Sequence, residues 1–506
     1  MNAVRERLGR WAGARRAPVD PWARYQAVVE PVVAAAPRVH RFAQVPLVGA
    51  PPLRPADVAS GEADTPEELM AGLSAVRTPW VLVGRPGDVL APLAFERLGQ
   101  AATLAPDAAV ITCDEDELDA TGRRSAPRFR PGPSPDRWLA LDDSGSALLV
   151  DREAALAALP AVAPGPGWRH ELALRLAGPD SARHAHVPLL LWHRRTAPEP
   201  PAGAHRVEQV LADWGTPVRV TEGRPGLRRV EWPLLGEPSV EVIVCFRDRP
   251  ELLERCTSSL LAHTDYARLS LALVDNGSVE SETAALVARL DGHPRVRVLR
   301  DQRPFNFAAL NNAAVAGSSA DVVVLLNNDT QVEDPDWLSP LLAEAVRPEV
   351  GAVAPLLRYP DGLVQHAGAA IGLHGFAGHP FAGLAPEAPT PFGRADEGTR
   401  NWLAVSAACL AVERAKFAAA GGFDERFVVA GNDVDLCLRL TAAGHRSLCV
   451  PWSGLLHDES RSRGTHIDPG DFAASERSYG AFRTVGDPFY NPSLTLERTD
   501  CSVRSA

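Results

Sequence analysis

A chain of 506 residues, 45% hydrophobic and 23% charged, is too long for one compact core and has the composition of a globular protein with two or more domains. Its net charge of −11 argues against general nucleic-acid binding, which draws most of its affinity from a basic surface. No apolar run approaches the roughly 20 residues of a membrane span, and the seven cysteines lack CxxC spacing, so no transmembrane anchor, zinc centre or disulfide framework is expected.

The N-terminus, MNAVRERLGRWAGARR, has a charged start without the apolar stretch of a secretory signal, and the expected location is the cytoplasm. Val4, Leu8 and Trp11 share one helical face among five arginines. Such a helix either packs Trp11 on its own domain or makes peripheral contact with the anionic inner face of the plasma membrane. Residues 1–60 read as a helical and loop segment, with the proline-rich stretch 46–62 as loop. Helix and strand patterns then alternate over 61–197, and the proline- and glycine-rich RTAPEPPAGAH leads into a linker over 198–238. From 239 to 470 the alternation becomes regular. VEVIVCF, LSLALVD, RVRVL and DVVVLLN read as strands, separated by helices over 250–263, 281–290 and 308–316. That pattern predicts an α/β domain with a mostly parallel, Rossmann-like sheet covered on both faces, followed by a C-terminal helix and tail over 471–506.

Ligands in such sheets bind at the carboxyl ends of the strands. Two apolar strands end in polar groups there: LVDNGS at Asp275, and VVVLLNNDT at Asn327, Asn328 and Asp329. No glycine-rich fingerprint or P-loop follows the first strand, which speaks against an NAD enzyme or an NTPase. Asp329 either caps a turn or offers a hard oxygen ligand to a cation. Asp433 and Asp435 fall in the first turn of the helix carrying DVDLCLRL, with Leu436, Cys437 and Leu440 on its buried side. There a carboxylate either serves the helix dipole or stands at a site mouth as a general base.

Taken together, CFRDRPELLERCTSSLLAHT, LVDNGS, PFNFAALNNAAV, LLNNDT, YPDGLVQHAG, GGFDERF, GNDVDLCLRL and LLHDESRSRG resemble a family 2 glycosyltransferase of the GT-A fold, in its rhamnosyltransferase-like branch. The resemblance implies transfer of a sugar, rhamnosyl among the candidates, from a nucleotide-diphosphate sugar to a saccharide or lipid-linked acceptor in cell-surface polysaccharide synthesis. It implies a divalent cation, Mg2+ or Mn2+, held by Asp329 and His457, and nucleotide-sugar contacts from Arg247, Asp248, Asp275, Asn306, Asn312, Asn327 and Asn328. Asp433 matches the inverting general base, while Asp435, Trp402 and His366 fall on the acceptor side. Asn327 replaces the first Asp of the family's DxD motif, and Cys245 and Phe246 replace a proline and a threonine. Two other classes stand beside this reading. A sugar nucleotidyltransferase would carry a glycine-rich basic loop where this chain has CFRDRPELL; a non-catalytic glycan-binding or scaffold protein would not need Asp329, Asp433 and His457.

RHELALRL, from Arg169, repeats the frame of DVDLCLRL 264 residues earlier (433 − 169), with Arg169 at the position of Asp433 and Glu171 at that of Asp435. Upstream, TPWVLVGRPGDVL resembles the family's DxD strand, with Arg85 at its first acidic position and Gly87 at its metal-binding one. Residues 61–197 are therefore expected to form a reduced, non-catalytic GT-A-like domain that lacks the early nucleotide-binding strands. Neither guanidinium can bind a metal or act as a base. DEDE at Asp114–Glu117 is expected as a surface loop.

Overall fold

The computed structural model describes residues 58–458 and 468–504 apart from 180, 196, 199 and 235; the basic N-terminal segment lies outside the described residues. The first half runs β1 (Val58–Glu62), α1 (Pro66–Ala75), β2 (Trp80–Gly84), β3 (Val89–Leu90), α2 (Ala94–Leu104), β4 (Val110–Leu118), β5 (Arg124–Arg128), α3 (Pro135–Ala140), β6 (Leu148–Asp151), α4 (Arg152–Ala158), α5 (Trp168–Ala177) and β7 (His184–Arg194). A helix, α6 (Ala204–Asp213), and a hairpin, β8 (Arg219–Glu222) and β9 (Arg228–Glu231), follow. The second half begins with β10 (Val240–Phe246), α7 (Pro250–His263), β11 (Leu269–Asp275), α8 (Ser281–Asp291), β12 (Val296–Arg300), α9 (Phe307–Ala316), β13 (Val322–Asn327), β14 (Thr330–Val332) and α10 (Leu338–Ala345). It continues with β15 (Val350–Arg358), β16 (Val364–His366), β17 (Ala370–Ile371), β18 (Ala377–Gly378), β19 (Arg400–Trp402), β20 (Cys409–Glu413), α11 (Arg414–Ala419), α12 (Asn432–Ala442), β21 (Arg446–His457) and α13 (Pro469–Val485).

Two sheets organise these elements. The larger has the order β12-β11-β10-β13-β20-β15-β21-β14, with β16 on β15 and β19 on β21. The smaller has the order β1-β2-β6-β4-β7-β3, with β5 on β4. Strand for strand, the smaller sheet repeats the larger from β10 onward, and each matched pair has the same parallel or antiparallel sense. Missing from the described residues of the first half are counterparts of β11 and β12. The class is α/β as expected, but the sheets are mixed: β12 to β13 run parallel, and β20 reverses direction between β13 and β15.

Alternation along the buried strands sorts side chains into cores. Val240, Val242 and Val244 of β10 face one cluster with helices α7, α8 and α10, while Ile243 faces the other way. Both faces of the strand are covered, which is why it reads as an apolar run interrupted only by Glu241, a carboxylate met by Arg297 at 2.7 Å. In the first half Val81, Val83 and Val150 join α1, α4, α5 and α6, whereas Trp80, Leu82 and Leu149 enter the same cluster as Ile243. One hydrophobic core is thus shared by a face of each sheet.

Three sequence expectations need correction. Within 46–62, read as loop, Val58–Glu62 is a strand paired parallel to Trp80–Gly84; its small residues have little strand propensity, and the partner strand supplies the ladder. DEDE lies in β4, and its Asp114, Glu115 and Asp116 are buried. Burial is tolerable because His186 meets Asp114 at 3.1 Å, Arg130 meets Glu115 at 2.8 Å, and Arg124 and His193 each meet Asp116 at 2.6 Å. Residues 198–238 are not a bare linker, since Val207, Val210, Leu211 and Val220 pack into the first half's core. Among the described residues no helix is long and apolar enough to cross a membrane.

Candidate functional site

Parallel pairing aligns the strand ends of the second half: Cys245 pairs with Asn327, and Phe246 with Asp275. Just past β13 the chain turns into β14, whose Thr330 pairs with His457 near the end of β21. This brings Asp329 Oδ1 to 3.2 Å and Asn327 Nδ2 to 3.3 Å from His457 Nε2. Asp329 and His457 are both buried, and the Asp329 Oδ1 and His457 Nδ1 atoms have no hydrogen-bond partner among the described residues. A buried carboxylate oxygen without a donor, beside an imidazole nitrogen, suits a divalent cation, with hard oxygens of a bound diphosphate completing the shell. Among the described residues no cluster of three or more His, Cys, Asp or Glu forms a self-sufficient metal site, so these two residues could supply only part of a coordination shell.

Helix α12 begins after Gly431, whose left-handed backbone (φ 87°) turns the chain into the first helical turn and whose missing side chain leaves room for the Tyr479 hydroxyl and the Phe376 and Phe427 rings. Asp433 is half-buried in that turn; its Oδ2 accepts from the Ala407 N–H at 3.0 Å and its Oδ1 from the Val434 N–H at 2.8 Å. A short backbone shelf, 406–408, joins this carboxylate to the cation side. Ala407 holds Asp433, the Ala408 carbonyl accepts from the Asn327 N–H at 3.0 Å, and the Ser406 N–H points at His366 Nε2 at 3.4 Å.

Other candidates have structural work. Both Asp435 oxygens are engaged, Oδ2 by Arg439 at 2.7 and 2.9 Å and Oδ1 by the Ser478 hydroxyl at 2.5 Å, which ties this buried carboxylate to α12 and α13. Trp402 is buried against Gly368, where no Cβ would fit, and against Phe392 and Arg400. His366 is likewise interior, its Nδ1 3.0 Å from His379 Nδ1; burial, with His379 and His457 adding repulsion, holds its pKa well below the ordinary value. It acts by packing beneath the shelf rather than by lining an open pocket. Asn306 caps α9 through the Ala309 N–H at 2.9 Å and donates to the Glu425 carbonyl; Asn312 pins Phe423 through both its N–H and its C=O. These amides hold the GGFDERF loop.

Asp248 adopts a left-handed conformation (φ 54°), and its Oδ1 accepts from the Val279 and Glu280 N–H groups, fastening the loops after β10 and β11 together. Asp275 Oδ1 accepts from the Ser278 N–H at 2.8 Å, and this half-buried carboxylate stays at the strand end beside the exposed Arg247. Asn328 sits half-buried in the turn before Asp329.

Sequence reasoning missed the grip of α13. Asp471, wholly buried, accepts from the N–H groups of Val428, Val429 and Ala430, while Ser478 and Tyr479 pack behind Asp435 and Gly431. The loop entering α12 is therefore held from a helix some 40 residues later. The only local trace was Asp468 before Pro469, a helix-start signal without any hint of the contact.

The first half places Arg169 where α12 has Asp433. Helix α5 also follows a left-handed glycine, Gly167 (φ 83°), and keeps the i,i+4 pair, Glu171 with Arg175 matching Asp435 with Arg439. Arg169 reaches the carbonyls of Ala63 and Gly84, stitching together the strand ends. Strand pairing also corrects the metal-binding position: Val89 opposes His193 as Thr330 opposes His457, which puts Asp88, not Gly87, in the place of Asp329. Asp88 is occupied, accepting from Trp192 Nε1 at 2.9 Å and the Arg195 N–H at 2.8 Å, and His193 turns to Asp116.

Residues 241–378 match the model of the family described as Glycosyl transferase family 2. Over 468 residues the chain is 42% identical to the O-antigen biosynthesis protein RfbC of Myxococcus xanthus, covering 88% of this chain and 36% of that protein. It is 37% identical over 443 residues to the uncharacterized protein y4gI of Sinorhizobium fredii, covering 83% and 48% respectively. An N-acetylglucosaminyl-diphospho-decaprenol L-rhamnosyltransferase of Mycobacterium tuberculosis is 33% identical over 258 residues, which are 46% of this chain and 80% of that enzyme. The chain thus spans between about a third and a half of the first two relatives. A mannosyltransferase from Pyrobaculum calidifontis, in complex with GDP-Man and Mn2+, overlays on 50% of this chain and 70% of its own at 18% identity and a TM-score of 0.37, an overlap too slight to carry argument.

Proposed function

The chain belongs to glycosyl transferase family 2, and from that premise we propose that it moves a sugar from a nucleotide-diphosphate sugar to a saccharide or lipid-linked acceptor in cell-surface polysaccharide synthesis, with inversion at the anomeric carbon. The observation that carries this reading is the shelf 406–408, which holds the Asp433 carboxylate at one residue and the Asn327 backbone at the next. A base and a diphosphate-binding strand end so tied can face opposite sides of one reacting carbon.

Asp433 takes the proton of an acceptor hydroxyl within about 3 Å as that oxygen bonds to the anomeric carbon. The bond from that carbon to the diphosphate oxygen breaks, and its electron pair leaves on the nucleoside diphosphate. Ala407 N–H and Val434 N–H orient the carboxylate, one on each oxygen. Asp329 and His457, with Asn327 beside them, would hold a divalent cation, which when bound neutralises charge on the leaving diphosphate. Asp275 and Arg247 stand at the strand ends where base and ribose would lie. The first half carries out no chemistry in this reading, since Arg169 and the occupied Asp88 stand at the two decisive positions.

Screening nucleotide sugars for release of nucleoside diphosphate, with and without Mg2+ or Mn2+, tests the proposal on the full chain. Cation-dependent release with one donor, lost in Asp433→Asn, supports it. No release with any donor and acceptor pair sinks the transferase reading, and release of pyrophosphate in a parallel assay supplying a nucleoside triphosphate and a sugar 1-phosphate would make the protein a nucleotidyltransferase.

A further inference from the structure

At the strand ends of the first half, in the position the reacting site occupies in the second, lies a cavity of about 260 Å3. Five arginines line it: Arg85 after β2, Arg128 and Arg130 at and just past the end of β5, Arg169 in the first turn of α5, and Arg394 from the loop before β19 of the second half. Three carboxylates also reach it, but each is already engaged. Glu115 is met by Arg130 and accepts from the Ser146 N–H, Glu397 is met by Arg137 at 3.0 Å, and Asp142 accepts from the N–H and hydroxyl of Ser144.

Two of these cations keep a spare nitrogen donor. Arg85 donates to the Ala197 carbonyl, a group without net charge. Arg130, 2% exposed, pairs with Glu115, and its Nε lies 3.7 Å from Asp143 without a hydrogen bond; Arg394 pairs with Asp396 through Nε at 2.9 Å, while its buried Nη2 has no hydrogen-bond partner among the described residues. Gly145 also lines the cavity, and a Cβ there would stand 3.1 Å from the Arg130 guanidinium, so the missing side chain leaves that planar face open. Planar guanidinia converging on a space of this size match the forked geometry of an oxyanion.

We propose that this cavity binds the oxyanion of a charged sugar unit, a sugar phosphate or a uronate, and so holds a charged part of the acceptor while the second half acts on it. Naming the occupant as acceptor rests on the proposed transferase function; the anion site itself does not. The volume lies just below the ~300–1,000 Å3 of sites that bury drug-sized ligands, which suits one sugar-sized group rather than a nucleotide sugar.

Calorimetric titration of the full chain in EDTA, with glucose 1-phosphate, glucuronate and uncharged glucose, tests the site without turnover. One or both anions should bind saturably and glucose should not, and the anion preferred tells phosphate from carboxylate. Binding should persist in Asp329→Asn, which removes the cation-side carboxylate of the second half. It should weaken at least tenfold in the double variant Arg85→Gln/Arg128→Gln, whose fold is checked by circular dichroism. Arg394→Gln, reaching the cavity from the other half, should weaken it in the same direction and keeps the test decisive if the double variant unfolds. Equal affinity in folded arginine variants, or no saturable binding of either anion, overturns the inference. Failed titration beside intact sugar transfer would remove this site and leave the proposed function standing.

Discussion

The two halves repeat a strand order and differ in what they do with its ends. In the second, Asp329 and Asp433 keep oxygen lone pairs uncommitted or held only by backbone N–H groups. In the first, Asp88 is taken up by Trp192 and Arg195, and Arg169 by two carbonyls. What both copies retain is the packing: the left-handed glycine, the leucines and the i,i+4 ion pair of α5 and α12. A frame needed for folding therefore outlasts the chemistry built on it, and a carboxylate's identity says less than whether its oxygens are already taken.

The sharpest way to break this contrast is Asp433→Asn. Loss of a general base should lower turnover on the order of 10²–10⁴-fold with donor affinity kept, read by steady-state nucleoside diphosphate release; unchanged turnover would make the two helices equivalent. Asp329→Asn should follow, with turnover down on the order of 10²-fold and a weaker response to added Mn2+, measured by metal titration of the rate. Acid should next separate the buried network of the first half from the rest. Burial alone would raise Glu115, yet Arg130, Arg128 and Arg194 outweigh it and hold it down at about 2, and Arg347 and Arg446 likewise hold Asp136 below the carboxylate range. Depressed carboxylates stabilise the fold above their unfolded pKa and lose that stabilisation as pH falls toward the folded one. The melting temperature should therefore drop between about pH 4.5 and pH 2, and Glu115→Gln, less stable at neutral pH, should show a shallower drop. Asp88→Asn should do least: turnover unchanged, with stability lower by about 1 kcal/mol from the weakened Trp192 bond, read by chemical denaturation. A kinetic defect there would return function to the first half.

Alternation of apolar runs made the α/β class and the helix at Asp433 legible in the sequence, and the order of the motifs did the same for the company of Asp329 and His457. What the sequence hid is the partners. Asn306, Asn312 and Asp435 bond to Glu425, Phe423 and Ser478, which lie 43 to 119 residues away. Asp114 to Asp116 read as a surface loop because the histidines that share their burial lie 72 and 77 residues away, although Arg124 and Arg130 stand only 8 and 15 residues on. Strand registration, not spacing, decided between Gly87 and Asp88, because a turn can differ by one residue between copies without disturbing the ladder.

The apolar cluster shared by the two sheets bears on how this chain could be dissected. Cutting between β9 and β10 would divide this cluster, leaving Trp80, Leu82 and Leu149 on one fragment and Ile243 on the other. It would also part Asp136 from Arg347 and Arg446, leaving that carboxylate without a cation while the two arginines keep Glu344 and Glu349. The halves should thus melt as one cooperative unit, each serving as part of the other's apolar cover.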